Sequence, residues 1–279
     1  MFLPPRPRRA YKHQLQGAAT LDRSNSLTDN LLLAMYYRGE DAYEAPRNYV
    51  DGTRGTLTAV GLAQDQHGQT PKFNGTTSCA AIPIQFGTQR QITLSFYLYW
   101  DAFSGTDGIA LEYGPNVATP WLSSGFLIYP ESVFGGSPTM FAGVGQPASH
   151  YVGRYWTQPS AAAWHYISVG FDRNDPLTGA KYVWQDGANI VGGIAAFAYT
   201  ASDFTTSPAF LNLFSRNGSS NFSAGRIQCV SIHSGLLTIP QLRSLHEDPY
   251  QLVKPVPRGT IVAATTAAAA RQPMVWTSP

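Results

Sequence analysis

An all-β sandwich is the fold this sequence predicts. Three observations predict it: short apolar segments recur from about Leu31 to Val253, Gly, Pro, Asn and Asp break them at close intervals, and a single stretch supports an amphipathic helix. At 279 residues and 43% hydrophobic content the chain can bury a core without staples. Charged residues make up 13%, about half of the roughly 25% usual in soluble domains, so the surface is polar and nearly uncharged. A net charge of +2 counts against a body that neutralises phosphates, and no direct nucleic-acid partner is expected. No window holds about 20 consecutive apolar residues, so no membrane insertion is expected either.

Residues 1–30 read as a basic, Pro-rich arm, with Arg6, Arg8, Arg9 and Lys12 among three prolines and no apolar period. Residues 31–253 form the sandwich. Its clearest strand is Gln91–Trp100, where Ile92, Leu94, Phe96, Leu98 and Trp100 alternate with Thr93, Ser95, Tyr97 and Tyr99; one face is buried and the other half polar. Further strands are expected around 109–113, 126–129, 140–144, 151–156, 165–171, 210–214 and 227–233. Residues 181–185 and 188–191 flank Asp186-Gly187, the strongest short hairpin signal, because both central residues of that turn take positive φ. One short helix follows: Thr238 caps it, Pro240 fits its first turn, Ile239, Leu242 and Leu245 share a face, and Asp248-Pro249 stops it. That face is expected to close one end of the sandwich. Residues 254–279 read as an extended tail, with Met274, Val275 and Trp276 as an apolar plug.

Catalytic chemistry finds little material. None of the five glutamates, Glu40, Glu44, Glu112, Glu131 and Glu247, belongs to a paired-carboxylate run of the kind glycoside hydrolysis needs. No G-x-S-x-G elbow occurs, and the six histidines form no HxH or HxxxH pair. His165 reads as a packing residue on a strand. Cys79 and Cys229 form no CxxC pair and read as reduced core thiols, with a single bridge open if their strands are neighbours. Asp172, Asn174 and Asp175 are the calcium candidates, but Pro176 and Leu177 replace the further oxygen donors such a loop supplies, and the segment reads better as a turn. Asp101 and Asp107 are a second pair. No cofactor is expected, with calcium the one ion left open.

Trp164-His165-Tyr166-Ile167-Ser168-Val169-Gly170-Phe171-Asp172 resembles the "WHH-apolar-x-apolar-x-FD" strand of the laminin G-like, concanavalin A-like superfamily. Lys181–Gly187 resembles the hairpin that follows it there, Phe73-Asn74-Gly75 with Ala81-Ile82-Pro83 resembles an upstream block, and Phe222–Ile232 with Leu237-Thr238 resembles the closing one. The resemblance implies a two-sheet antiparallel jelly-roll sandwich with one short C-terminal helix and extended terminal arms. Asp248-Pro249-Tyr250-Gln251-Leu252-Val253-Lys254-Pro255 is similar to the terminus of bacteriophage-encoded members. That likeness implies a non-enzymatic virion protein, first as capsid decoration or reinforcement and second in the tail or fibre. Its arms would hold the major capsid protein, tail proteins or copies of itself. The alternative is a carbohydrate-binding receptor module in which Trp121, Tyr155 and Trp156 stack on a host-surface glycan. The hydrolases of the superfamily carry an E-x-D-x-x-E cluster that is missing here.

Overall fold

The structure, a computed structural model, describes residues 19–37, 45–65, 68–101, 108–132, 139–204 and 207–255. Strands are numbered along the chain. The first sheet runs in the order β14 (Ala188–Ile190), β13 (Ala180–Gln185), β12 (Trp164–Asp172), β7 (Gln91–Trp100), β17 (Ala224–Ser234), β5 (Gly68–Asn74) and β4 (Gly61–Asp65), and β2 (Leu31–Tyr36) also pairs with β17. The second runs β15 (Gly193–Phe197), β11 (His150–Thr157), β10 (Thr139–Gln146), β9 (Phe126–Ser132), β8 (Leu111–Pro115), β16 (Ala209–Leu213), β6 (Cys79–Pro83) and β3 (Thr56–Thr58). All their pairings are antiparallel, so the two-sheet sandwich expected from the sequence is the fold observed.

Period-two alternation puts Leu94, Phe96 and Leu98 of β7, Ile167, Val169 and Phe171 of β12, and Phe126, Ile128, Met140 and Val144 of the facing sheet into one core. Phe126 stacks on Phe171 across the two layers with centroids 5.0 Å apart. The hairpin between β13 and β14 turns on Asp186 and Gly187, with φ of 51° and 89°, as that dipeptide requires.

Three expectations are corrected. The second face of β7 is half polar, but it is not left open beside a single buried face: Thr93, Ser95 and Tyr97 are buried as well. They lie under a second apolar layer in which Leu21, Leu27, Leu31, Leu245, Leu252 and Val253 pack on Ala34, Tyr36, Tyr97, Tyr166 and Cys229. The helix α1 (Ile239–Glu247) belongs to that layer, covering the outer side of the first sheet rather than an end, and its Ile239 is 52% exposed because only Leu242 and Leu245 face inward. A capping box between Thr238 and Gln241 starts it.

The third correction concerns the arms. β1 (Ala19–Leu21) pairs with β18 (Val253–Pro255), so residues 19–30, and Lys254 with Pro255, are part of the folded body. Tyr250 and Leu252 of the terminus motif are packing residues here: Tyr250 lies 5.6 Å from the Tyr36 ring and Leu252 is fully buried. The remaining arm candidates, Arg6, Arg8, Arg9, Lys12, Met274, Val275 and Trp276, lie outside the described residues. Cys79 and Cys229 sit in different sheets as free buried thiols, so the open bridge does not form.

Candidate functional site

On the outer side of the second sheet, glycine and aromatic residues share one face. Phe141, Gly143 and Gly145 of β10 stand beside Gly153, Tyr151 and Tyr155 of β11, and Gly193 and Phe197 of β15 continue the row. The glycines leave room for rings to lie flat on the sheet. A Cβ at Gly153 would sit 2.3 Å from the Ala142 carbonyl oxygen and 2.7 Å from the Phe141 ring, and one at Gly193 would sit 2.1 Å from the Tyr155 ring. Trp121, on the short turn Pro120–Leu122, flanks this floor 5.9 Å from Tyr151, and Tyr151 lies 6.4 Å from Phe197. Phe141 is covered, Tyr129, Tyr151 and Tyr155 are half-buried, and Phe197 is 56% exposed. The result is a row of partly open rings on a rigid sheet.

One end of the row meets a charged corner. Glu112 of β8 points to the same outer face and is fully buried. Burial pushes its pKa up to about 7, and the Arg216 guanidinium, 3.5 Å away, with the Trp121 and Asn217 backbone amides, offsets only part of that. Above it runs the loop 215–221, Ser-Arg-Asn-Gly-Ser-Ser-Asn. Phe214, Asn217 and Asn221 there take φ of 57°, 49° and 50°, a left-handed backbone that costs a bulky residue about 1–3 kcal/mol. Ser219 and Ser220 are exposed on it. The structure thus brings Trp121, one of the stacking candidates, to the same corner as the loop 215–221.

The three glycan-stacking candidates fare differently. Trp121 is 8% exposed and Trp156 is 4% exposed, so neither offers a free ring face; Trp156 turns into the core and donates from Nε1 to Gln185 Oε1 at 3.0 Å. Those two are corrected to packing residues, and Tyr155 keeps an open position. Tyr129, Tyr151 and Phe197 were missed. Their signal was present in the period-two strings Phe141-x-Gly143-x-Gly145 and Tyr151-x-Gly153-x-Tyr155, which reserve one strand face for rings and glycines alone.

The calcium candidates organise a turn. Asp172 accepts from Gln91 Nε2 and from the Asn174 amide, and Asp175 accepts from the Leu177 and Thr178 amides, the Thr178 hydroxyl and Lys181 Nζ. Burial opposes the Asp175 charge, but the Lys181 and Thr178 bonds outweigh it and hold the carboxyl well below the usual range. Asn174 Oδ1 accepts from Arg90. Asp101 pairs with Lys72 at 3.2 Å, and Asp107 lies outside the described residues. Among the described residues no three His, Cys, Asp or Glu side chains cluster as a metal set. Arg173, between these aspartates, is fully buried and donates to the carbonyls of Gly125, Gly145 and Ser202 while lying over Phe204. It staples the ends of β9 and β10 to the segment before β16, a role invisible in a turn-rich string.

Ser160, His165 and Asp186 line up as a nucleophile, base and carboxylate would. His165 Nδ1 lies 2.7 Å from Asp186 Oδ2, and Nε2 lies 3.4 Å from Ser160 Oγ. Yet Nε2 is closer, at 3.0 Å, to the Ser160 carbonyl oxygen. Each nitrogen faces an acceptor; burial opposes the ring's charge, but Asp186 and the Ser160 carbonyl outweigh it and raise the pKa. Nε2 lies nearer the Ser160 carbonyl than the Ser160 hydroxyl, and the trio fastens the loop before β12 to the Asp186 turn.

No family model and no curated protein matches this sequence. Solved structures do resemble it. Domain 4 of AbnA, an extracellular GH43 arabinanase from Geobacillus stearothermophilus in complex with arabinotriose, is similar at 15% identity and TM-score 0.54 over 78% of this chain and 98% of that one. The binding domain of Paraclostridial Mosquitocidal Protein 1 is similar at 12% identity and TM-score 0.56, over 81% of this chain and 53% of that one. Trypanosoma rangeli sialidase gives 12% identity and TM-score 0.52, over 80% of this chain and 33% of that one. At such identities the likeness is one of fold.

Proposed function

We propose that the chain is a non-enzymatic carbohydrate-binding module whose binding face is the outer side of the second sheet. The observation that carries this reading is the half-open row Tyr129, Tyr151, Tyr155 and Phe197 beside the Ser- and Asn-rich loop 215–221. Aromatic faces stack on the C–H faces of sugar rings, and serine and asparagine side chains bond the hydroxyls. Support comes also from the neighbours in fold, one of which is solved with arabinotriose and another of which is a toxin binding domain. The virion reading rested on the likeness of residues 248–255 to bacteriophage-encoded members and on the two arms, of which residues 19–30, 254 and 255 fold onto their own body and the rest lie outside the described residues. The comparisons support the carbohydrate-binding reading better. A glycan array followed by calorimetry tests it. Hits are expected that Tyr151→Ala or Tyr155→Ala weakens by about tenfold or more, near 1.4 kcal/mol. A silent array, or hits unaffected by both substitutions, overturns it.

A further inference from the structure

The chain passes from β14, the edge of the first sheet, directly to β15, the edge of the second, through Val191 and Gly192. Val191–Ala198 is eight consecutive residues without a polar side chain, and no Asp, Glu, Lys or Arg stands between Asp186 and Asp203. Much of this apolar surface is open: Val191 is 89% exposed, Ile194 48% and Phe197 56%. Among the described residues no strand pairs with the outer edge of β15. Edge strands of monomers are protected by charges, proline or a bulge; β15 has none, and its register with β11 runs unbroken from Val152↔Ala196 to Tyr155↔Gly193. A strand apolar on both sides has the composition of one in the middle of a sheet.

We infer that β15 is a pairing edge for a second copy of this chain, joined antiparallel about a two-fold axis that runs perpendicular to the sheet, midway between Ala195 and the partner's Ala195. That axis sets Ala195 against the partner's Ala195, Ile194 against the partner's Ala196, and Gly193 against the partner's Phe197. Small residues at the centre let the backbones approach. Phe197 meets a glycine, the arrangement already used by Phe141 over Gly153 and by Tyr155 over Gly193. An isologous contact brings each group near its own copy, so a like charge would repel itself; this edge has no charge to repel. The axis also keeps the outer faces on one side, which joins the two aromatic rows into a single bivalent surface.

Sedimentation equilibrium of the full chain over a dilution series tests this without any sugar, so its outcome is separable from that of the glycan array. Wild type is expected at twice the chain mass at high concentration, and Ile194→Lys with Phe197→Lys, both at exposed positions, is expected at the single mass with unchanged melting. A wild type that stays monomeric, or a dimer that survives the double substitution, overturns the proposal. Oxidised Ala195→Cys is expected to cross-link to a dimer while Ile239→Cys does not. Equal cross-linking of the two overturns the Ala195 axis.

Discussion

Leu21, Leu27, Leu245 and Leu252 roof the outer side of the sheet built on β7, β12 and β17, whereas on the outer side of β11 and β15 Tyr151 and Tyr155 are only half-buried and Phe197 is exposed. The two inner faces are alike, both closed by the same core. What separates the sheets is how each treats its second face. One is sealed by chain remote in sequence, from the first strand to the last, and the other is tiled by rings rooted in its own strands. A sealed face serves stability. A tiled face left half open is costly in water unless something lands on it.

The largest effects should come from breaking the roof. Leu245→Ala removes a buried side chain that closes the layer over Tyr97 and Tyr166, and should cost about 2–5 kcal/mol in chemical denaturation. Gly153→Ala attacks the tiled side through its floor: the new methyl meets the Ala142 carbonyl and the Phe141 ring, and the expected loss is about 1–3 kcal/mol, with weakened sugar binding. Tyr151→Ala, by contrast, should change stability by less than about 1 kcal/mol while removing binding. If Tyr151→Ala destabilises as much as Leu245→Ala, the tiled face is a structural surface and the contrast between the two sides is lost.

Acid sharpens the same contrast, because each side buries a group that titrates in the acid range, and the two are shifted in opposite senses. Under the roof, burial depresses the His233 pKa to about 4, and a hydrogen bond with the Leu27 backbone compensates little. The unfolded chain binds this proton first, so His233 removes stability as pH falls from 6.5 toward 4. On the tiled side, Glu112 is raised to about 7, so the folded chain binds its proton first and its contribution is lost as pH rises from 4.5 through 7. Each shift corresponds to about 3 kcal/mol. The two slopes oppose one another between pH 4.5 and 6.5. Relative to wild type, His233→Leu should gain stability on acidification through that window, and Glu112→Gln should lose it. Denaturation midpoints at several pH values check both signs, and parallel curves for all three proteins would contradict the assignment.

The inner faces were legible because alternation is local: Ile92 to Trp100 and Ile167 to Phe171 declare their buried side without reference to anything else. The roof was not. Thr93, Ser95 and His233 look solvent-facing in a string, yet all three are buried, Thr93 against Tyr182, Gly235 and Leu237, and Ser95 against Ser168, on the sheet that residues 19–31 and 245–253 return to cover. The same long-range closure turned part of a basic arm into the strand β1. For the candidate site, the sequence reading favoured tryptophan. Trp121 and Trp156 both pack into the body instead. The more modest tyrosines, spaced by glycine on alternate positions, held the open face.

Backbone amide chemical-shift mapping with a neutral oligosaccharide identified on the array tests the account most directly. Perturbations are expected to centre on 151–155, 193–197 and 215–221, with the roof residues 27–36 and 239–252 unmoved. Shifts confined to the roof, or spread equally over both sides, would contradict a binding role for the tiled face.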